Sequence, residues 1–184
     1  MTFDHFSKFY IQTLQDTLSG IDREAVDTLV EDLLNHTRIF LVGKGRTGLV
    51  MDMFAMRLSQ IGMRAYSIGK PTTPAAGPKD LLVAASGSGE TVTVLLAVNK
   101  AKEIGMDVAA ITLQPESSLS IQADHMLILA QEEAMYQGQK PSKVLTGTLF
   151  EQALMLTLEC VIGLLMEATK QTFDDLSARH ANIE

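Results

Sequence analysis

The 184 residues are 46% hydrophobic and 20% charged, the proportions of one globular domain able to bury its own core. A formal net charge of −7 argues against a nucleic-acid or anionic-membrane partner, since both reward a basic face. A single cysteine, Cys160, leaves no internal disulfide and suits a reducing compartment.

The chain opens Met1-Thr2-Phe3-Asp4-His5 without a basic segment and apolar run, so no signal peptide is expected and the cytoplasm is the expected location. Two amphipathic helices come first. Phe3, Phe6, Tyr10, Leu14 and Leu18 make one stripe, and Val26, Leu29, Val30, Leu33 and Leu34 make the next. Ser19-Gly20 separates them, and Asp22 is placed to cap the second. The period then shortens. Arg38–Val42 reads as a strand running into Gly43, followed by a helix from about Thr47 to Ile61. Strands are predicted at Arg64–Ile68, Leu81–Ala85, Val108–Leu113 and His125–Leu129, with helices at 91–104 and 117–122 between them. Residues 131–146, with Gly138 and Pro141, read as a long loop of the kind that is often functional. A long apolar helix is expected over 149–170. Its Glu151, Glu159 and Glu167 argue against a membrane span, and Cys160 reads as a buried packing residue within it. A short helical tail near 173–180 closes the chain.

Strands alternating with helices imply an α/β three-layer sandwich on a five-stranded parallel sheet, order 2-1-3-4-5, as in flavodoxin-like folds. One domain over 1–184 is expected. It comprises an N-terminal helical hairpin 3–36 packed outside, an α/β core 38–170 and a tail 171–184. Ligands of such sheets lie beyond the carboxyl ends of the strands, near the switch point between the first and third. The Gly-rich loops 43–48 and 86–91 follow those two strands.

Ser86-Gly87-Ser88-Gly89-Glu90-Thr91 joins a buried strand to a helix. It reads either as a helix cap with turn glycines or as an anion site, with Ser86, Ser88 and Thr91 as hydroxyl donors ahead of a helix N-terminus. Gly43-Lys44-Gly45-Arg46-Thr47-Gly48 satisfies the dinucleotide fingerprint G-x-G-x-x-G. The acid that would hold a ribose is missing from Tyr66–Lys70, which disfavours that reading and leaves Lys44 and Arg46 as cations beside an anionic ligand. In Gly69-Lys70-Pro71-Thr72-Thr73-Pro74 two prolines stiffen a turn whose threonines can face the same crevice. Thr148-x-x-Glu151 has the form of a capping box, the reading the local pattern favours for Glu151, although a carboxylate among apolar neighbours also suits a general base. His180 sits in a polar tail, either solvated or catalytic. No His/Cys/Asp/Glu spacing suggests a metal site, and no nucleophile elbow occurs.

In this order, Gly43–Gly48, Gly69–Pro74, Ser86–Thr91, Gly147-Thr148-Leu149-Phe150-Glu151 and Arg179-His180-Ala181-Asn182-Ile183-Glu184 span nearly the whole chain. Together they resemble the 6-phospho-3-hexuloisomerases, a branch of the sugar isomerase (SIS) domain family. Thr47 stands where that family more often has serine, and Leu145-Thr146 replaces its usual Pro-Met. The resemblance implies the SIS form of the fold. It also implies interconversion of D-arabino-3-hexulose 6-phosphate and D-fructose 6-phosphate through a cis-enediol(ate), without cofactor or metal, in the ribulose monophosphate pathway of formaldehyde assimilation. Carried onto this chain, it makes Glu151 the base and His180 an acid/base at the oxygens. Ser86, Gly87, Ser88 and Thr91 would bind the phosphate, with Gly45, Arg46, Thr47 and Thr72 around the sugar. A homotetramer with tails reaching neighbouring sites is implied too. The alternatives are another SIS sugar-phosphate isomerase or a non-catalytic module that senses a sugar phosphate.

Overall fold

The computed structural model describes residues 2–129 and 143–183. In chain order the elements are α1 (Phe3–Ser19), α2 (Arg23–Asn35), β1 (Ile39–Val42), α3 (Arg46–Gln60), β2 (Ala65–Ser67), β3 (Leu81–Ala85), α4 (Val92–Ile104), β4 (Asp107–Thr112), α5 (Ser118–Gln122), β5 (His125–Ile128), α6 (Lys143–Thr169) and α7 (Phe173–Ala178). Every pairing in the sheet is parallel, in the expected order β2-β1-β3-β4-β5.

Burial on both faces explains why the central strands β1, β3 and β4 read as continuous apolar runs rather than alternating ones. Side chains still alternate with period two. Ile39, Leu41, Leu81, Val83 and Ile111 join one core with α2, α3 and α6, while Phe40, Val42, Leu82, Ala84 and Ala110 join another with α4 and α5. Three layers result.

Four expectations change. The helical hairpin is not wholly outside the sandwich: Leu29 and Leu33 of α2 belong to the first core, and α2 lies along β5. Phe3 and Leu34, assigned to the apolar stripes, are exposed, because nothing among the described residues covers the first turn of α1 or that side of α2. Asp22 does cap α2, accepting from Glu24 N at 3.0 Å.

The second change concerns α6, which begins at Lys143 rather than near 149. Gly147 is therefore inside a helix, where it costs about 1 kcal/mol relative to alanine without ending the run. Of the expected loop 131–146, the last four residues are helical and 131–142 lie outside the described residues.

Third, Cys160 is exposed. The sheet-facing positions of α6 are Phe150, Ala153, Leu154, Leu158, Val161 and Leu165, and Cys160 shares the opposite side with the exposed Leu156 and Leu164. Fourth, the glutamates do not by themselves disqualify this helix as a span: Leu149–Thr169 is long and apolar enough by length and composition, with mean hydropathy 1.7. Half of that stretch is buried inside the fold.

At the amino edge of the sheet, Asp80 is 2% exposed and grips Arg38 through two hydrogen bonds, from Nε at 2.9 Å and Nη2 at 2.6 Å. It also accepts from Gly77 N at 2.7 Å. Burial pushes the Asp80 carboxyl up, but these donors outweigh it and hold the group below its ordinary value of 3.8. A depressed carboxyl stabilises the fold above its unfolded value and loses that contribution as pH falls through the folded one. Asp80→Ala should therefore cost about 2 kcal/mol near pH 7 in urea unfolding, and the gap from the native chain should shrink below about pH 4.

Candidate active site

Both glycine loops lie at the carboxyl ends of neighbouring strands. In the first, Gly48 crowds Gly43: a Cβ on Gly48 would stand 2.9 Å from the Gly43 carbonyl oxygen. Gly45, at φ +62°, takes the N-cap position of α3, and no side chain caps that helix. Arg46 and Thr47 begin α3, with Arg46 exposed and Thr47 buried.

In the second loop Ser86 is 3% exposed, and its Oγ lies 2.9 Å from Thr91 Oγ1. Gly89 N also donates to Ser86 Oγ at 3.2 Å. Thr91 occupies the N-cap position of the 13-residue α4 but makes no side-chain cap hydrogen bond. Thr91 is thus no side-chain cap, and among the described residues neither α3 nor α4 has its N-terminal donors capped by the side chain at its N-cap position. Ser88 is exposed at the tip, where its Oγ accepts from Glu90 N at 3.2 Å.

α6 delivers the acid. Phe150 is 2% exposed and packs on Gly87, where a Cβ would come within 3.1 Å of the ring. The next residue, Glu151, has a 15% exposed side chain and forms an ion pair with the guanidinium of Arg46, itself 61% exposed. Oε2 of Glu151 is buried and accepts no aligned hydrogen bond among the described residues, so Arg46 is its electrostatic partner. The capping-box reading fails, because Thr148 lies inside α6 and not at its start. The Arg46–Glu151 pair thus lies one residue along α6 from the Phe150–Gly87 contact, at the switch point between β1 and β3.

Thr72 lies exposed on the loop after the edge strand β2, at the same end of the sheet. That loop is tied down by Thr73 Oγ1 donating to Ser67 O at 2.8 Å and by Lys70 pairing with Asp52 at 2.8 Å. Lys70 is thus a clamp on α3. No hydrogen bond joins Thr72 to Arg46 or Glu151 among the described residues.

His180 is elsewhere. Arg179 donates to the Gln60 carbonyl at 3.2 Å and to Gln171 Oε1 at 2.8 Å, fixing the tail at the last residue of α3. Arg46 is the first residue of that 15-residue helix, about 21 Å away along its axis. His180 is exposed, and its Nδ1 lies 3.0 Å from the neighbouring Ala181 carbonyl oxygen. Within one chain it does not face the crevice.

A model of the SIS domain matches residues 32–156, more than half of the chain and all five strands. The chain belongs to the SIS domain family. The chain is 38% identical over 169 residues to a 3-hexulose-6-phosphate isomerase of Mycobacterium gastri, covering 92% of this chain and 85% of that one. It is 36% identical to the Bacillus subtilis protein of the same name, covering 95% of both. Among solved structures, a Methanococcus jannaschii protein superposes with a TM-score of 0.83 at 29% identity, over 95% of this chain and 98% of that one. The function inferred for it from its crystal structure is that of a 3-hexulose-6-phosphate isomerase. One part of this SIS site had no signal in the sequence. Ser118 N donates to Glu90 Oε1 at 2.7 Å across 28 positions, and no spacing rule links the two.

Proposed function

We propose that the chain is a 6-phospho-3-hexuloisomerase, converting D-arabino-3-hexulose 6-phosphate to D-fructose 6-phosphate in formaldehyde assimilation by the ribulose monophosphate pathway. It works in the cytoplasm as a homotetramer. The observation that carries this reading is the meeting of Arg46, Glu151 and the Ser86–Thr91 loop at one switch point. The relatives of that name, at 38% and 36% identity, support it.

The reaction moves a carbonyl from C3 to C2. Glu151 takes the C2 proton, an enediolate forms across C2 and C3, and a proton returned to C3 leaves the carbonyl at C2. Only protons and electron pairs move within one molecule, so no external oxidant or reductant is consumed. Ser86, Ser88 and Thr91, with the backbone N–H of Gly87 and the α4 N-terminus, hold the phosphate. Arg46 leaves Glu151 to meet the negative oxygen of the enediolate, and Gly45, Thr47 and Thr72 line the sugar. Proton transfer at the oxygens falls to His180 of a neighbouring subunit, because the tail of the same chain is anchored at the opposite end of α3.

The direct test supplies enzymatically made hexulose 6-phosphate and follows fructose 6-phosphate through coupled dehydrogenases. Turnover is expected here and not with sedoheptulose 7-phosphate or arabinose 5-phosphate. Binding of the sugar phosphate without turnover would make the chain a sensor instead. For the shared site, Glu151→Gln and His180→Ala chains, each nearly inactive, should regain activity when unfolded together and refolded as mixed assemblies. Mixtures as inactive as their parents would place both groups in one subunit.

A further inference from the structure

The proposed phosphate loop carries a carboxylate of its own. Glu90 stands between Ser88 and Thr91, where a free negative charge would oppose the anion. In the fold that carboxylate is engaged on the β4 side of the loop, where Oε1 accepts from Ser118 N at 2.7 Å. Arg46 and Glu151 stand on the β1 side. The Ser118 backbone donor, followed by its hydroxyl, holds the Glu90 carboxyl below its ordinary value of 4.5.

The same short connection braces the rest of the loop. Leu119 N donates to Gly89 O at 3.1 Å, and Leu113 N donates to Gly87 O at 3.3 Å. Ser117, which packs directly against Gly89, is fixed by donating to Gln114 O at 2.9 Å. Two glycines make residues 86–91 entropically expensive to order, so these anchors decide whether the hydroxyls stay in place. One of them bears on Ser88. Its Oγ accepts the Glu90 N–H, which leaves the hydroxyl proton free to donate to an external oxygen.

We propose that Glu90 is a positioning residue for the phosphate loop: bound to the Ser118 N–H, it fixes Ser88 as a donor and keeps its own charge off the substrate. This rests on the reading that the phosphate occupies Ser86–Thr91. The opposite expectation is simple repulsion, under which removing the acid would tighten anion binding.

The experiment measures KM for fructose 6-phosphate, kcat, and the competitive inhibition constant of inorganic phosphate. Glu90→Ala should raise KM and the phosphate constant together by about tenfold, with kcat within about twofold. Glu90→Gln, whose amide oxygen still accepts the bond, should stay near the native values. Ser118→Pro removes both Ser118 donors, the N–H and the hydroxyl, and leaves Glu90 itself in place. Ser118 is the first residue of α5, where proline fits, and Ser117 at ψ 163° has the extended backbone that precedes a proline. It should reproduce Glu90→Ala, and the double variant should be no worse than either single one. Should Glu90→Ala fail to fold, Ser118→Pro carries the test alone. Tighter phosphate binding in either Glu90 variant, or additive losses in the double, would overturn the proposal. Ser88→Ala separates the two readings. If it weakens phosphate while Glu90→Ala and Ser118→Pro do not, only the role of Glu90 falls. If Ser88→Ala also leaves phosphate binding unchanged, the phosphate lies elsewhere and both fall.

Discussion

Glu151→Gln is expected to lower kcat by about a hundredfold or more while KM stays within about twofold. Glutamine keeps the length and shape of the side chain on α6, so Phe150 still packs on Gly87 and the phosphate loop is undisturbed. What disappears is the ability to take the C2 proton. Loss of the Arg46 pair is a smaller matter for the fold, because Arg46 is 61% exposed and stays solvated without it. The opposite pattern, native kcat with a lowered melting temperature, would make Glu151 a structural anchor for Arg46 and remove it from the chemistry. Circular dichroism and urea unfolding on the same preparation separate the two outcomes.

Gly89→Ala should be the most damaging single methyl group in the site. Gly89 has φ +67°, a region that side chains rarely adopt. A Cβ there would lie 2.0 Å from Ser117 Oγ and 2.3 Å from Ser117 Cβ, contacts that no small adjustment relieves. Ser117 cannot retreat easily, since it is 6% exposed and its Oγ accepts from Ser120 N as the cap of α5. We expect a loss of about 3 kcal/mol in stability and a rise in KM of about tenfold or more, because the hydroxyls of Ser86 and Ser88 move with the loop. Ser117→Gly removes both clashing atoms. It should cost only about 0.3–0.5 kcal/mol alone through the lost cap, yet recover about 1–2 kcal/mol in the Gly89→Ala background. Strict additivity of the two variants would show that the loop escapes by another route.

Much of this architecture was legible in the chain. The uninterrupted apolar runs Ile39–Val42, Leu81–Ala85 and Val108–Ile111, each followed by a helical period, specify parallel strands covered on both faces. The switch point follows from their order, and with it the importance of the two glycine loops. Boundaries were less certain where a local signal competed with packing. Gly147-Thr148 looks like a helix start, but the apolar run that follows is buried on the sheet and the helix carries on through it.

Local pattern was enough for the layers, the strand order and the Ser86–Thr91 motif, because periodicity and turn glycines act over a few neighbouring residues. The tertiary structure alone decided which chemistry the motif is joined to. It set Glu151 beside Arg46 across 105 positions, turned Glu90 onto Ser118, and anchored the His180 tail at the far end of α3. Those are contacts between distant segments, fixed by how helices pack on the sheet, and no local rule of spacing encodes them.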